Sequence, residues 1–364
     1  EYQRIGGKCP GFLQRADVGT GHVKHAAAGA GIGGHIMRSF NNAAVHKIAI
    51  NTEHCKVCMA SGRQRPYLCC NNIIPETFGG GSLNILSLQS HVAYGHVGNA
   101  AAVFALQRLG FEVWAVPTVQ YSNHPAHGGF GGRVSLPELI DEMVDGLSNQ
   151  GFLASCDAVL SGYLGSVENG EAVVRAVASA RMANAGLVYL CDPVFAHAGR
   201  GIFAADGIPE LFRAGIIPQA DIVTPNQFEL AWLSGATIET RSDALAAALA
   251  LQALGPGTVV CTSLRYGDPD DNMVETLLVT KSGAWVVATP WLEGEMFGAG
   301  DLFSALYLGH RMIAGDTPDA LSRAVSATYA VLQLTAQAEG GELVLIAAQV
   351  DMLTPVLFAA REIS

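Results

Sequence analysis

The sequence predicts an α/β chain with a mostly parallel sheet, helices packed over it and an antiparallel edge, and three observations lead to that expectation. From Gly81 onward, short apolar runs alternate with amphipathic stretches, the pattern of buried strands separated by covering helices. Several of these runs close on polar side chains, as parallel strands do where ligands meet their carboxyl ends. Late in the chain, residues 275–280 and 284–288 flank Lys281-Ser282-Gly283, a hairpin signature that sets an antiparallel pair at the sheet's edge.

Composition fits this class. A chain of 364 residues, 50% hydrophobic and 15% charged, with 42 glycines and 15 prolines, can bury a large core in one or two domains. No run of about 18 apolar residues is free of charge, so no membrane span is expected. The first residue is Glu1, and no signal pattern is read at the start. A net charge of -11 argues against nucleic acid as the main partner, because phosphate backbones need a basic face. A nucleotide is still allowed, since magnesium and backbone N–H groups can meet its charge.

Charge and cysteine are unevenly spread. Residues 1–81 hold 9 Lys/Arg against 4 Asp/Glu and five of the eight cysteines, leaving 12 Lys/Arg against 28 Asp/Glu in residues 82–364. The first 81 residues are therefore expected to be a separate, poorly ordered extension, with one domain over 82–364. Within the extension, Gly29-Ala30-Gly31-Ile32-Gly33-Gly34 satisfies GxGxxG, but no apolar strand precedes it and it is not read as a dinucleotide site. Cys55-Lys56-Val57-Cys58, with His54, Cys69 and Cys70 nearby, lacks a second CxxC and is not read as a zinc site.

In order, the first strand falls at 84–88 and ends in Gln89-Ser90-His91-Val92. A helix over 99–109, a strand over 112–116 and the polar loop 120–125 follow. A helix near 136–147 precedes the strand 158–160, which closes with Ser161-Gly162-Tyr163. A helix at 171–184 leads to the buried strand 187–191 and then Asp192-Pro193. Ile222-Val223 runs into Thr224-Pro225-Asn226-Gln227-Phe228-Glu229 and a helix, so Asn226 and Glu229 share one helical face. A helix at 242–254, a strand at 258–261 ending in Thr262-Ser263, the hairpin, a long helix at 319–337 and a closing strand–helix tail complete the chain.

Glu295-Met296-Phe297-Gly298-Ala299-Gly300-Asp301 carries the clearest chemistry. Small residues at Gly298, Ala299 and Gly300 let the backbone approach a ligand, and Asp301 opens an apolar helix running to about residue 314. Unpaired N–H groups at that helix start, with a partial charge of about +0.5, would face an anion. Asp301 can accept the proton of a substrate hydroxyl beside them. This is phosphoryl-transfer chemistry without a Walker A loop. An isolated GxGD is more often a capped turn, so the weight comes from Ser90, Asn123, Tyr163, Asp192 and Thr262 along the same sheet edge. Asn226 and Glu229 add the hard oxygen ligands that magnesium takes beside a phosphate, often through water.

Ile85-Leu86-Ser87-Leu88-Gln89-Ser90-His91-Val92, Tyr94-Gly95-His96-Val97-Gly98-Asn99, Val119-Gln120-Tyr121-Ser122-Asn123-His124, Asp157 to Gly165, Cys191-Asp192-Pro193-Val194, Thr224 to Glu229 and the GAGD stretch together resemble the pyridoxal kinases, in that family's order, over roughly 83–350. The resemblance implies a ribokinase-like three-layer α/β/α sandwich with a mostly parallel central sheet and an antiparallel edge. It implies ATP-dependent phosphorylation of the 5'-hydroxymethyl group of pyridoxal, and of pyridoxine and pyridoxamine, in cytoplasmic vitamin B6 salvage. A homodimer using Mg2+, and often K+, comes with it.

By matching position, Asp301 is the base and Gly298, Ala299 and Gly300 form the anion hole. Ser90 and Tyr163 match residues that touch the pyridine ring, with Asn123 and His124 on the same substrate side. Asp192, Asn226 and Glu229 match the nucleotide and metal region, Asn226 and Glu229 as metal ligands, and Thr262 and Ser263 match residues at the ATP phosphates. Three positions depart from the family. Pro125 stands where a substrate-contacting Thr is common, and Ile202 where some bacterial members carry a reactive Cys. Residues 285–298 form a shorter stretch in which Met296-Phe297 precede the glycine. Alternative readings are a hydroxymethylpyrimidine or sugar kinase of the same fold and a non-catalytic binder of pyridoxal phosphate.

Overall fold

The computed structural model describes residues 82–267, 272–315, 317–338 and 340–363. The expected extension, with its glycine and cysteine motifs, lies outside the described residues. The sheet is built outward from strand β1 (Asn84–Val92), which pairs in parallel with β2 (Glu112–Tyr121) on one side and with β4 (Cys156–Ser161) on the other. From β4 the parallel run continues through β5 (Val188–Cys191), β8 (Ile222–Val223) and β9 (Thr258–Leu264). Three antiparallel strands follow on β9, namely β10 (Met273–Thr280), β11 (Gly283–Pro290) and β12 (Arg361–Ile363). At the opposite edge the short β3 (Gly132–Val134) runs antiparallel on β2, giving ten strands in the order β12-β11-β10-β9-β8-β5-β4-β1-β2-β3. β2 lies on one side of β1 and every later parallel strand on the other, so the winding reverses between β1 and β4. The carboxyl ends at such a reversal open a crevice for ligands.

Strand residues alternate between two cores. Leu86, Leu88, Val159, Tyr189, Cys191 and Val259 face one core, which is closed by α2 (Pro137–Asn149), α3 (Val167–Ala183), α5 (Gln227–Ser234) and α6 (Arg241–Gln252), with the short α4 (Ile208–Leu211) packed below. Ile85, Ala158, Leu160, Leu190 and Val260 face the other, closed by α1 (Asn99–Arg108), α7 (Ala299–Ala314), α8 (Pro318–Thr335) and α9 (Leu345–Leu353). This period-2 split, with both faces buried, explains why the strands read as continuous apolar runs. A separate two-stranded hairpin, β6 (Ala196–His197) with β7 (Gly201–Ile202), follows β5.

The expected three layers and mixed sheet are present, and the differences lie at element ends. The 281–283 hairpin is not the sheet's edge, because β12 pairs with β11 and covers it. The closing tail runs helix then strand, the reverse of the expected order. Leu345, Ala348 and Met352 recur at helical spacing toward the core, so the apolar run Val344-Leu345-Ile346 enters a helix. Thr262 and Ser263 lie inside β9 rather than beyond it, and the GAGD helix opens at Ala299, which makes Asp301 its third residue. Leu160→Ala, which empties a fully buried position at the sheet's centre, should lower the unfolding free energy by about 2–5 kcal/mol, measured by urea titration.

Candidate active site

The site grows from the start of α7. Gly298 occupies the left-handed region (φ 86°), and no side chain caps the helix, which leaves its first N–H groups to face the crevice. A Cβ at Gly298 would overlap the carbonyl oxygen of His96, so two backbones meet there and only glycine fits. Across that contact, the N–H of Gly98 faces the Asp301 carboxylate and favours its charged form. Gly98 is itself pressed against Ser90, since a Cβ at 98 would overlap the Ser90 carbonyl oxygen and reach its Oγ. Asn99 holds the tip of β1 by donating to the Gln89 carbonyl at 3.1 Å. The 94–98 loop thus places Ser90 and Asp301 around one glycine.

Behind Gly300 stands buried Asp192, with Oδ2 4.0 Å from the place a Cβ on Gly300 would take. Ser304 donates to Asp192 Oδ2 at 2.8 Å and also meets the Thr224 hydroxyl at 2.9 Å. Glu229 follows, 3% exposed, with Oε1 accepting from the Phe195 and Ala196 N–H groups at 3.0 and 3.2 Å and Oε2 from the Asn226 N–H at 3.0 Å. Asn226 returns the bond by accepting from the Glu229 N–H at 2.9 Å, so the pair forms a reciprocal cap at the start of α5. Thr262 is brought alongside by its N–H bond to the Pro225 carbonyl at 2.9 Å and by a parallel bridge to Asn226. Next to it Ser263 holds φ 58°, a left-handed backbone that costs a non-glycine residue roughly 1–3 kcal/mol and is typical of ligand-contacting turns.

Burial pushes the Asp301 carboxyl up to about 6, with the Gly98 N–H opposing the rise. Burial and then the charge of Asp301 raise Asp192 to about 7, against the bonds from Ser304 and Thr224. Burial and then Asp192 raise Glu229 as well, against its three backbone donors. Three carboxylates raised by burial along one rim fit a hard divalent cation. Among the described residues no three His, Cys, Asp or Glu side chains converge tightly enough to hold a metal unaided. An ion here would therefore complete its shell with phosphate oxygens and water, as Mg2+ commonly does.

The substrate side is built by two loops. Tyr163 follows β4, its carbonyl accepting from the Thr118 hydroxyl at 2.6 Å and its ring 6.4 Å from Phe203. Asn123 uses its amide inside its own loop, donating to the His124 and Gly129 carbonyls at 3.1 and 2.8 Å. His124 caps a one-turn helix that starts at exposed Pro125, and its ring stacks on Phe297 with centroids 4.5 Å apart. The β6–β7 hairpin spans the two sides. Its root is fixed by Glu229 and by Asn226, which donates to the Ala196 carbonyl at 2.9 Å. At its tip Arg200 pairs with both oxygens of Glu295 at 2.9 Å, its guanidinium 5.4 Å from the Phe297 ring centroid. Ile202 sits on β7, 47% exposed.

Ser90, Gly98 and Asp301 therefore lie together, with Asp192 behind Gly300, and Asn226, Glu229 and Thr262 form a bonded group, whereas Tyr163 and Asn123 make their contacts within the substrate-side loops. Ser304 and Arg200 were given no role from sequence; Gly98 was quoted only within the Tyr94–Asn99 stretch and Phe297 only as a departure ahead of the glycine. Gly98 carried a signal in the Val97-Gly98-Asn99 turn, while the others depend on contacts between distant segments.

A helix start with open backbone N–H groups and a carboxylate beside it, at the carboxyl edge of a largely parallel sheet, fits a phosphotransferase of the ribokinase-like class. A family model described as phosphomethylpyrimidine kinase matches residues 137–344. The chain is 49% identical to a pyridoxal kinase PdxY of Rubrobacter xylanophilus, over 78% of this chain and 99% of that protein. It is 48% identical to a pyridoxal kinase PdxY of Deinococcus radiodurans, over 77% and 96%. Its fold matches pyridoxal kinase from Leishmania donovani in complex with ADP and pyridoxamine, with a TM-score of 0.73 and 28% identity over 78% of this chain and all of that one. The chain belongs to the pyridoxal kinase family.

The raised carboxylates set the pH dependence of stability. A carboxyl that titrates higher folded than unfolded makes the folded state bind more protons between the two values, so stability falls as pH rises through that window. For Asp301 and Asp192, with folded values of about 6 and 7, the window runs from the ordinary carboxylate range near pH 4 to about pH 7. The melting temperature of the free chain should decline across it. Asp192→Asn should flatten the decline and raise the melting temperature at pH 7.5, as read by differential scanning calorimetry.

Proposed function

We propose that the chain transfers the γ-phosphoryl group of ATP to the 5'-hydroxymethyl group of pyridoxal, and of pyridoxine and pyridoxamine, giving the 5'-phosphates. The observation that supports this best is the Asp301 carboxylate, third residue of an uncapped helix start, facing the N–H of Gly98, which itself packs against Ser90. In this reading Asp301 orients the 5'-hydroxyl and accepts its proton as the oxygen attacks phosphorus. The N–H groups around Gly298, Ala299 and Gly300 meet charge on the transferring group, and the α7 dipole adds to them. Ser90 and Tyr163 frame the pyridine ring, with the His124–Phe297 stack beside it. Asn123 serves indirectly, by shaping the loop that carries His124 and Pro125. Most of the rate enhancement comes from positioning and electrostatics, as in phosphoryl transfer generally.

On the nucleotide side, Thr262 and Ser263 meet the phosphates, and Asp192 stands behind the anion hole. Asn226 and Glu229 would hold Mg2+, and because Glu229 already serves three backbone donors they would do so at a distance that leaves room for water. Mg2+ would supply charge neutralisation across the phosphate oxygens. Trp291, 37% exposed and covered by the Arg265 guanidinium at 4.3 Å from its ring centroid, offers a flat surface for the adenine. K+ dependence and a homodimer complete the proposal; activity in K+ against Na+ buffers tests the first, light scattering the second. Residues 1–81 are proposed to be dispensable for turnover. A second reading, phosphorylation of a hydroxymethylpyrimidine, is favoured by the description of the matching family model. ADP release with that compound and with each B6 vitamer separates the two.

Asp301→Ala should cut turnover on pyridoxal by at least ~10²-fold while leaving the melting curve cooperative. In the unaltered enzyme, kcat/KM should fall as pH drops through about 6, where the raised Asp301 carboxyl takes up the proton that disables it as a base. A coupled ADP assay across pH 5–8, run on both proteins, measures each effect.

A further inference from the structure

Glu342 lies 41 residues after Asp301 in sequence, yet its side chain reaches the loop that holds that base. It stands in the turn between α8 and α9, pinned by its neighbours: Leu343 and Leu345 are buried, and the Val344 N–H donates to Thr335 Oγ1 at 3.3 Å. From there Oε2 accepts the backbone N–H of His96 at 3.1 Å. The carboxylate lies so close to Gly95 (φ 93°) that a Cβ at 95 would overlap it. Oε1 lies 3.0 Å from His127 Nε2, on the loop that also carries His124 and Pro125. Gly341, one residue earlier, accepts the Phe297 N–H at 3.0 Å, directly ahead of the anion hole. One short turn therefore ties together the three segments that surround the reacting hydroxyl in the proposed reaction.

We propose that Glu342 is a positioning residue for phosphoryl transfer: by accepting the His96 N–H it fixes the 94–98 loop, so that the His96 carbonyl seats Gly298 and the Gly98 N–H seats the Asp301 carboxylate. The geometry separates this role from ordinary scaffolding. The carboxylate is mostly enclosed, with 16% of its side chain exposed, and its acceptor bond goes to the middle of a loop flanked by Gly95 and Gly98. Tyr94, His127, Gly340 and Glu342 also line an open cavity of about 510 Å³ with Asn123, so on that side an alanine at 342 would leave the His96 N–H without its acceptor. Loss of the bond would let Gly98 drift from Asp301, and a displacement of about 1 Å at a reacting group costs on the order of 10²-fold in rate. The nucleotide side, from Asp192 to Thr262, is built without Glu342 and should be unaffected.

The inference rests on Asp301 as the base, and the experiment keeps the two apart. Glu342→Ala and Glu342→Gln are compared with the unaltered chain for kcat and KM with pyridoxal and ATP, together with ADP binding by calorimetry. Glu342→Ala is expected to lower kcat roughly 10- to 100-fold, with KM for ATP and ADP affinity within about twofold. Glu342→Gln, whose amide oxygen still accepts the His96 N–H, is expected to recover most of that loss. Unchanged kcat in Glu342→Ala would overturn the inference, as would equal impairment of both variants or a loss confined to KM for ATP. If Glu342→Ala fails to fold, Glu342→Gln carries the test beside Glu342→Asp, whose shorter side chain cannot reach His96. The proposal then requires Gln to be the more active of the two, and the reverse order overturns it. An inactive Asp301→Ala beside a fully active Glu342→Ala would sink this inference alone, whereas an active Asp301→Ala would remove the reading beneath it.

Discussion

The contact on which the site depends is one of backbone against backbone: the His96 carbonyl lies on Gly298, and two residues further along the Gly98 N–H meets the Asp301 carboxylate. Both sides of the contact are glycine-rich because any side chain would hold them apart. The sheet makes the approach possible. β1 ends where the winding reverses, α1 starts directly after the 94–98 loop, and α7 packs on α1, so the loop is trapped between a strand tip and a helix start. A fold that buries both faces of its central strands leaves polar side chains few places to gather, and the carboxyl edge is where they do.

Electrostatics follows from the same placement. Asp301, Asp192 and Glu229 are enclosed along the rim; burial raises all three, the charge of Asp301 adds to the rise at Asp192, and Asp192 adds to the rise at Glu229. Such an arrangement is unfavourable for the empty chain and favourable for one carrying a cation and a nucleotide, because added positive charge relieves the repulsion. Local donors do not set the order: Glu229, with three backbone N–H donors, is raised furthest, to about 8, and Asp301, the one proposed to exchange a proton, least, to about 6.

Much of this was legible in the sequence where the signal is local. The alternation of apolar runs gave the layers, the strand tips gave Ser90, Tyr163 and Asp192, and the GAGD stretch gave the helix start. The Asn226–Glu229 spacing pointed to a shared face, and the structure makes it a reciprocal cap. What could not be read depends on distant partners. Glu342 in a turn looks like any solvated acid, and nothing near it in sequence announces His96. The Arg200–Glu295 pair joins segments 95 residues apart. β12 is three residues long and makes sense as a strand only against β11, which is why the tail's order was inverted.

The central claim is spatial: a substrate hydroxyl lies between Asp301 and the start of α7. A crystal structure of the chain with ADP and pyridoxal tests it most directly. The account predicts the 5'-hydroxyl oxygen within hydrogen-bond distance of the Asp301 carboxylate, the Gly98 N–H still facing that carboxylate, and the β-phosphate facing the N–H groups of Gly298 to Gly300. A 5'-hydroxyl turned away from Asp301, or a nucleotide bound elsewhere on the sheet, would contradict it.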